Sequence, residues 1–268
     1  MDYSRYQRFT IEKEGHLAIV RLNRPEKRNA IDHQFHIEFQ TIFVDLVDDE
    51  DVFAILLTAT GETFSVGGDV KGMKDRPAGD VVAGPDAVLE PGGARRILYN
   101  LLDCDKPIVC AINGNAIGLA ATIALFCDIT VAAKTAKIAD THVKVGLVAG
   151  DGGAAIWPLL VGPNRAKEYL MRGLIFTGEE AERIGLVNHA VPAEEVYDKA
   201  YAIARELADG ATWAIRWTKL SVNKWLKQQI NLIYDTSMAL EIATFNTKDH
   251  KEAVAAFIEK RRPSFVGR

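Results

Sequence analysis

A chain of 268 residues, 48% hydrophobic and 25% charged, has the composition of an ordinary soluble globular protein and is long enough to bury a sizeable core. Its net charge of −4 and pI near 5.9 argue against a general nucleic-acid surface. No apolar run approaches the ~20 residues of a membrane span, Met1 to Arg8 lacks signal-peptide character, and the three cysteines read as reduced thiols, so a cytoplasmic protein is expected.

Taken in chain order, His16 to Leu22 alternates as a strand does, and a turn over Asn23–Asn29 follows. Phe35, Phe39, Ile42, Phe43, Leu46 and Val47 then recur at helical spacing, with His33 and His36 on the polar, solvated side. Val52 to Thr58 reads as a buried strand running into the glycine loop Phe64–Asp69. Lys74 to Gly93, rich in Pro, Gly and Asp, has no periodicity and is read as a lid over a pocket, a plain surface insertion being the alternative. Ile108 to Ile112 is a second buried strand, ended by Asn113-Gly114, and the Ala-rich run from Leu119 to Phe126 reads as a buried helix. Ile129 to Ala133 is a further strand, Thr177 to Glu180 has capping-box spacing, and Gly185 is a helix stop. From Ala193 onward the pattern is helical, with Trp213, Trp217, Leu220 and Lys224 at steps of three or four expected to form a core stripe. Strands alternating with helices predict an α/β protein. No heptad array, short repeat or metal-ligand spacing stands out, and the six histidines are scattered.

The glycine loops carry the chemistry. A strand that turns into a helix through glycines leaves the first helical N–H groups without intrahelical partners, free to bind a negative oxygen. One such turn is equally a plain buried strand–turn–helix; two of them, Phe64–Asp69 and Asn115–Gly118, can supply two donors to one oxyanion. The segments Thr63–Lys71 and Lys106–Gly118, with Asn23–Ala30, Gly150–Gly153, Thr177–Glu179, Gly185–Asn188 and Glu259–Pro263, resemble the enoyl-CoA hydratase/isomerase (crotonase) superfamily in order and spacing. That resemblance implies a crotonase-like spiral of ββα repeats over residues 1–192 and a C-terminal helical oligomerisation region over 193–268 that builds a homotrimer or a dimer of trimers. It implies an acyl-CoA substrate, no membrane or nucleic-acid partner, no metal, and no cofactor beyond the coenzyme A of the substrate. It assigns the oxyanion donors to the backbone N–H groups of Gly68 and Leu119, and coenzyme A contacts to Arg28, Ala30 and Lys71, with Arg24 and Lys27 beside them; Phe257 and Lys260 in the last helix match positions that in relatives reach the nucleotide of a neighbouring subunit.

The sequence also departs from that family. Leu119 stands where a glycine is usual, and the positions of the two hydratase glutamates are taken by Thr122 and His142. What remains for acid–base work is His142 and Asp151. A neutral imidazole near its ordinary pKa of ~6.5 suits proton transfer at pH 7, and a carboxylate can orient it. The pair, with Gly152 and Trp157-Pro158, is similar to the superfamily's C–C hydrolases; alternatively His142 is a loop histidine and Asp151 a helix cap. Three readings follow: an acyl-CoA hydratase or isomerase, a C–C bond hydrolase acting on a β-diketone or β-keto acyl-CoA, and a non-catalytic binding protein on the same fold.

Overall fold

The structure is a computed structural model that describes residues 1–69 and 94–268. β1 (Phe9–Glu14) and β2 (Leu17–Leu22) form an antiparallel hairpin on the edge of the main sheet. The chain then forms helix α1 (His33–Asp48) and returns as β3 (Ala54–Ala59), parallel to β2 with Leu17 opposite Ala54. After α2 (Ala94–Asp103) comes β4 (Ile108–Ile112), then short β5 (Ala116–Ile117), helix α3 (Leu119–Leu125) and β6 (Ile129–Ala133). β7 (Lys137–Ala139), a 3-10 turn over His142–Val145 and the helices α4 (Gly153–Val161) and α5 (Pro163–Arg172) follow. Next are β8 (Phe176–Thr177), α6 (Gly178–Arg183) and β9 (His189–Val191). The chain closes with α7 (Val196–Ala208), the long α8 (Thr212–Phe245) and α9 (Lys248–Glu259).

The main sheet has the order β1-β2-β3-β4-β6-β9, parallel from β2 onward. Parallel strands covered on both faces read as unbroken apolar runs, as AILLTA in β3 and IVCAI in β4 do. The period of two in β2 divides its side chains between two cores: Ala18, Val20 and Leu22 join Phe35, Phe39, Ile42, Phe43 and Leu46 of α1, while Leu17 and Ile19 join Ala200 and Ala204 of α7. Asp32 caps α1 by accepting from the Phe35 N–H at 2.9 Å. At its other end the buried Lys106 ammonium donates to the carbonyls of Leu46 and Asp49, both at 2.5 Å. Desolvation lowers that lysine's pKa, so a role as a fixed cap on carbonyls accounts for its burial.

A second, smaller sheet of order β5-β7-β8 lies beyond the main one. Two single bridges extend it toward the N-terminus, Ser65 beside Ala116 and Ile31 beside Gly68. Both glycine loops therefore lie side by side on this second layer. The expected capping box at Thr177 forms with Glu180. Cys104, Cys110 and Cys127 are free and buried, and desolvation raises the Cys104 and Cys127 thiols above their ordinary range, which keeps them unreactive.

The core stripe expected of the tryptophans does not form. Trp213 and Trp217 are 58% and 60% exposed and Trp225 is 55% exposed, because α8 turns its other side, with Ile230, Tyr234, Ser237 and Glu241, onto the body of the protein. Spacing alone gives an apolar stripe, not the direction in which it faces. The lid reading of Lys74–Gly93 and the coenzyme A contact at Lys71 lie outside the described residues.

Candidate functional site

The two glycine loops meet through their backbones. A Cβ on Gly67 would lie 2.5 Å from the Ile117 carbonyl oxygen and 3.7 Å from the Gly118 Cα, and Gly67 sits at φ 79°, so only glycine fits. The parallel bridge at Ile31 uses the Gly67 carbonyl (2.8 Å) and the Asp69 N–H (3.1 Å), which turns the Gly68 N–H away from that strand. No described residue accepts from it. Leu119 is the first residue of α3; Gly118 before it sits at φ 59° and offers no side-chain cap, and no described residue accepts the Leu119 N–H. The Leu119 side chain packs into the main core, which answers where the unexpected leucine goes.

Against Gly118 rests the imidazole of His142: a Cβ there would meet its Cε1 at 3.6 Å and Nε2 at 3.9 Å. His142 Nδ1 is 2.7 Å from Asp140 Oδ1, and Nε2 is 3.2 Å from Asp151 Oδ2. The expected pair is thus brought together, but as one half of a clamp. Burial by itself would lower the His142 pKa; the Asp151 and Asp140 carboxylates outweigh it and hold the imidazole well above its ordinary range. The expected neutral imidazole is therefore corrected to an imidazolium with both N–H groups donated to carboxylates. Asp140, two residues away, was the missed cause; flanking acid in Ala139-Asp140-Thr141-His142 was its only sequence signal. Burial would raise Asp151, but His142 and the Gly153 N–H outweigh it and keep it ionised. Its Oδ1 also accepts from the Thr122 hydroxyl at 3.4 Å, so Thr122 serves the site as a donor where a glutamate was expected. His36, expected on a solvated face, is half-buried, and it lies close enough to Asp151 to act on that carboxylate.

A third acid enters from α8. Glu241 is 6% exposed and lies against the Gly150–Asp151 turn; a Cβ on Gly150 would fall 2.7 Å from Glu241 Oε2. Desolvation first, then the Asp151 charge, push its pKa up to about 8, so it stays protonated at neutral pH. Its Oε2, Asp140 Oδ2 and the Tyr234 hydroxyl are buried without a partner among the described residues. Tyr234 and Glu241 are seven residues apart on one face of α8, and burial raises the Tyr234 phenol so that it stays neutral. Nothing in the sequence tied Glu241 to the site, which lies ninety residues earlier.

Asp140, His142 and Asp151 are also a group whose donor atoms, within 4.8 Å of one another, could hold a metal ion, although no metal-ligand spacing marks them in the sequence. Each imidazole nitrogen is already taken by a carboxylate, which makes the group an ion-pair network. Among the expected coenzyme A contacts, Ala30 is buried and its carbonyl accepts from Arg24 (3.0 Å), which also reaches Asp69 (3.3 Å). Lys27 and Arg28 are exposed, as are Phe257 and Lys260 near the end of α9.

A parallel main sheet wound into a smaller second sheet and followed by a helical C-terminal region is the crotonase fold. Residues 12–268 match the family profile "Enoyl-CoA hydratase/isomerase", and the chain belongs to that family. It is 31% identical to the crotonyl-CoA hydratase of Syntrophomonas wolfei, over 98% of this chain and 99% of that one. It is 30% identical to the 1,2-epoxyphenylacetyl-CoA isomerase of Escherichia coli, over 95% of this chain and 97% of that one. Its fold superposes on the crystal structure of an enoyl-CoA hydratase/isomerase from Mycobacterium paratuberculosis with a TM-score of 0.86 at 30% identity, covering 94% of this chain and 99% of that one.

Proposed function

We propose that the protein is a lyase or isomerase of acyl-CoA thioesters that stabilises a thioester enolate between the N–H groups of Gly68 and Leu119. The observation that carries this reading is the backbone contact of Gly67 with Ile117–Gly118, which puts two unpartnered N–H donors one residue beyond a shared seam. Two such donors aimed at a developing oxyanion are worth ~10²–10³ in rate each. Hydration needs one ionised and one protonated acid, and groups whose environments push their pKa values apart supply such a pair. Asp151, held ionised by His142, and Glu241, held protonated by burial, have those states. They take the place of the glutamates absent at Thr122 and His142. Asp151 accepts a proton from water beside the imidazolium, which stays protonated and steadies the carboxylate, and Glu241 delivers its own proton to the carbon α to the thioester. The coenzyme A of the substrate is the only cofactor in this reading, with Lys71, Arg28, Ala30, Phe257 and Lys260 as its contacts. Residues 1–192, covered by α7 on one face of the main sheet, form the core, and the rest of 193–268 is the assembly region of a trimer or hexamer, whose interface takes the exposed tryptophans of α8.

The His142–Asp151 pair supports one second reading, a hydrolase that adds water to a ketone carbonyl and releases a carbon leaving group as an enolate. Calorimetry and turnover with short 2-enoyl-CoA thioesters separate the two. Micromolar binding with hydration supports the first reading; cleavage of a free β-diketone with no acyl-CoA binding replaces it with the second. Loss of neither activity in Asp151→Asn would remove the acid–base assignment altogether.

A further inference from the structure

The 3-10 turn His142–Val145 is held from a distance of about a hundred residues. His250, near the start of α9, is 6% exposed, and its Nδ1 lies 2.7 Å from the Val145 carbonyl oxygen, so Nδ1 carries the proton and donates. Burial lowers the His250 pKa and keeps the ring neutral, which fixes that tautomer. Next to it, Gly146 sits at φ 70°, and a Cβ there would lie 2.9 Å from both the backbone N and the Cα of His250. The backbone of α9 is therefore pressed onto the turn with room for nothing larger. Two residues further, the Val148 N–H donates to Thr244 Oγ1 at 3.2 Å, from the end of α8. The ring of Phe245 packs on that of His250 edge to face, at 5.1 Å between ring centres.

We infer that His250 is a positioning residue for His142: its Nδ1–H fixes the Val145 carbonyl and so sets the imidazole of His142 between Asp140 and Asp151. The chain of contacts is short. The His142 carbonyl accepts from the Leu147 N–H at 3.0 Å and the Val143 carbonyl from the Gly146 N–H at 3.2 Å. The turn's own bonds, the Lys144 N–H on the Thr141 carbonyl at 2.8 Å among them, are all local, and His250 ties it to the rest of the fold, so releasing Val145 lets His142 shift in a clamp whose two contacts are 2.7 and 3.2 Å. A rotation that lengthens the Asp151 contact weakens the charge pairing that keeps the ring protonated. The same helix α9 carries Phe257 in its last turn and is capped by Lys260, so one rigid element joins the candidate contacts to a neighbouring subunit's nucleotide to the acid–base turn.

The inference rests on the reading of His142 as part of the proposed site, and the test separates the two. Full-length protein labelled with ¹⁵N-histidine reports the protonation of both His142 nitrogens directly, the His142 signals being those lost in His142→Gln. In His250→Leu the His142 titration moves down by about one pH unit or more. In the same variant kcat for a 2-enoyl-CoA falls at least about tenfold while KM changes by less than about threefold. His250→Asn, whose Nδ2–H can occupy the place of the imidazole Nδ1–H, returns most of both; Thr244→Val, which releases Val148, moves the same signals in the same direction by less and carries the test if His250→Leu does not fold. An unmoved His142 titration in folded His250→Leu or Thr244→Val, or no recovery in His250→Asn, overturns the inference. A moved titration with unchanged kcat leaves the positioning intact and removes His142 from catalysis.

Discussion

Glu241→Gln tests the buried acid through stability and activity together. An unfolded glutamate loses its proton above 4.5, whereas in the fold Glu241 keeps it up to about 8. Between those values the native state binds the extra proton, so stability falls as pH rises from 4.5 to about 8 and is flat beyond. Holding that proton costs the fold on the order of 1 kcal/mol at pH 5 and about 3 kcal/mol at pH 7. A chain of 268 residues unfolds with an entropy of roughly 0.56 kcal/mol per kelvin. Glutamine keeps the shape and the neutral state but has no proton to lose. The variant should therefore melt about 2 °C higher than the parent at pH 5 and about 5 °C higher at pH 7, at fixed protein concentration. Turnover should fall by at least about 10², because an amide cannot deliver a proton. Differential scanning calorimetry over pH 5–8.5 reads the first and a thioester assay the second. A melting difference that does not grow with pH would refute the buried, protonated acid, and unimpaired turnover would remove it from the reaction.

Gly68→Pro deletes one N–H while sparing the Ile31 bridge, which uses Gly67 and Asp69; kcat should fall ~10²–10³, and a folded variant with normal turnover would exclude Gly68 as a donor. In Asp151→Asn the largest charge that raises His142 is gone, so ¹⁵N NMR should show its titration moving down toward the ordinary imidazole range; no movement would contradict the clamp. Gly67→Ala forces a Cβ to within 2.5 Å of the Ile117 carbonyl at φ 79° and should lower stability by about 1–3 kcal/mol in urea titration while separating the two donor loops. Replacing Trp213, Trp217 and Trp225 together by glutamate should leave the fold intact by circular dichroism and shift the mass in light scattering from oligomer to monomer; an unchanged mass would place the interface elsewhere.

The sequence determined what depends on neighbours along the chain. β2 divides its side chains by a period of two, α1 buries a stripe at three and four, and β4 runs through glycines into α3; each follows from backbone geometry and needs no partner to be read. The ordered motifs were enough to identify the family, and the spacing of His142 and Asp151 was enough to expect them together. Tertiary structure decided what depends on the environment of a group. The charge of His142 is set by Asp140 and Asp151 closing on both sides of a buried ring, and no spacing rule carries a desolvation energy. Glu241 and His250 reach the Val145–Asp151 segment because α8 and α9 fold back over it, contacts made across about ninety to a hundred residues. The direction of the α8 tryptophans was settled the same way: a helix apolar on more than one side exposes whichever face the rest of the chain leaves uncovered.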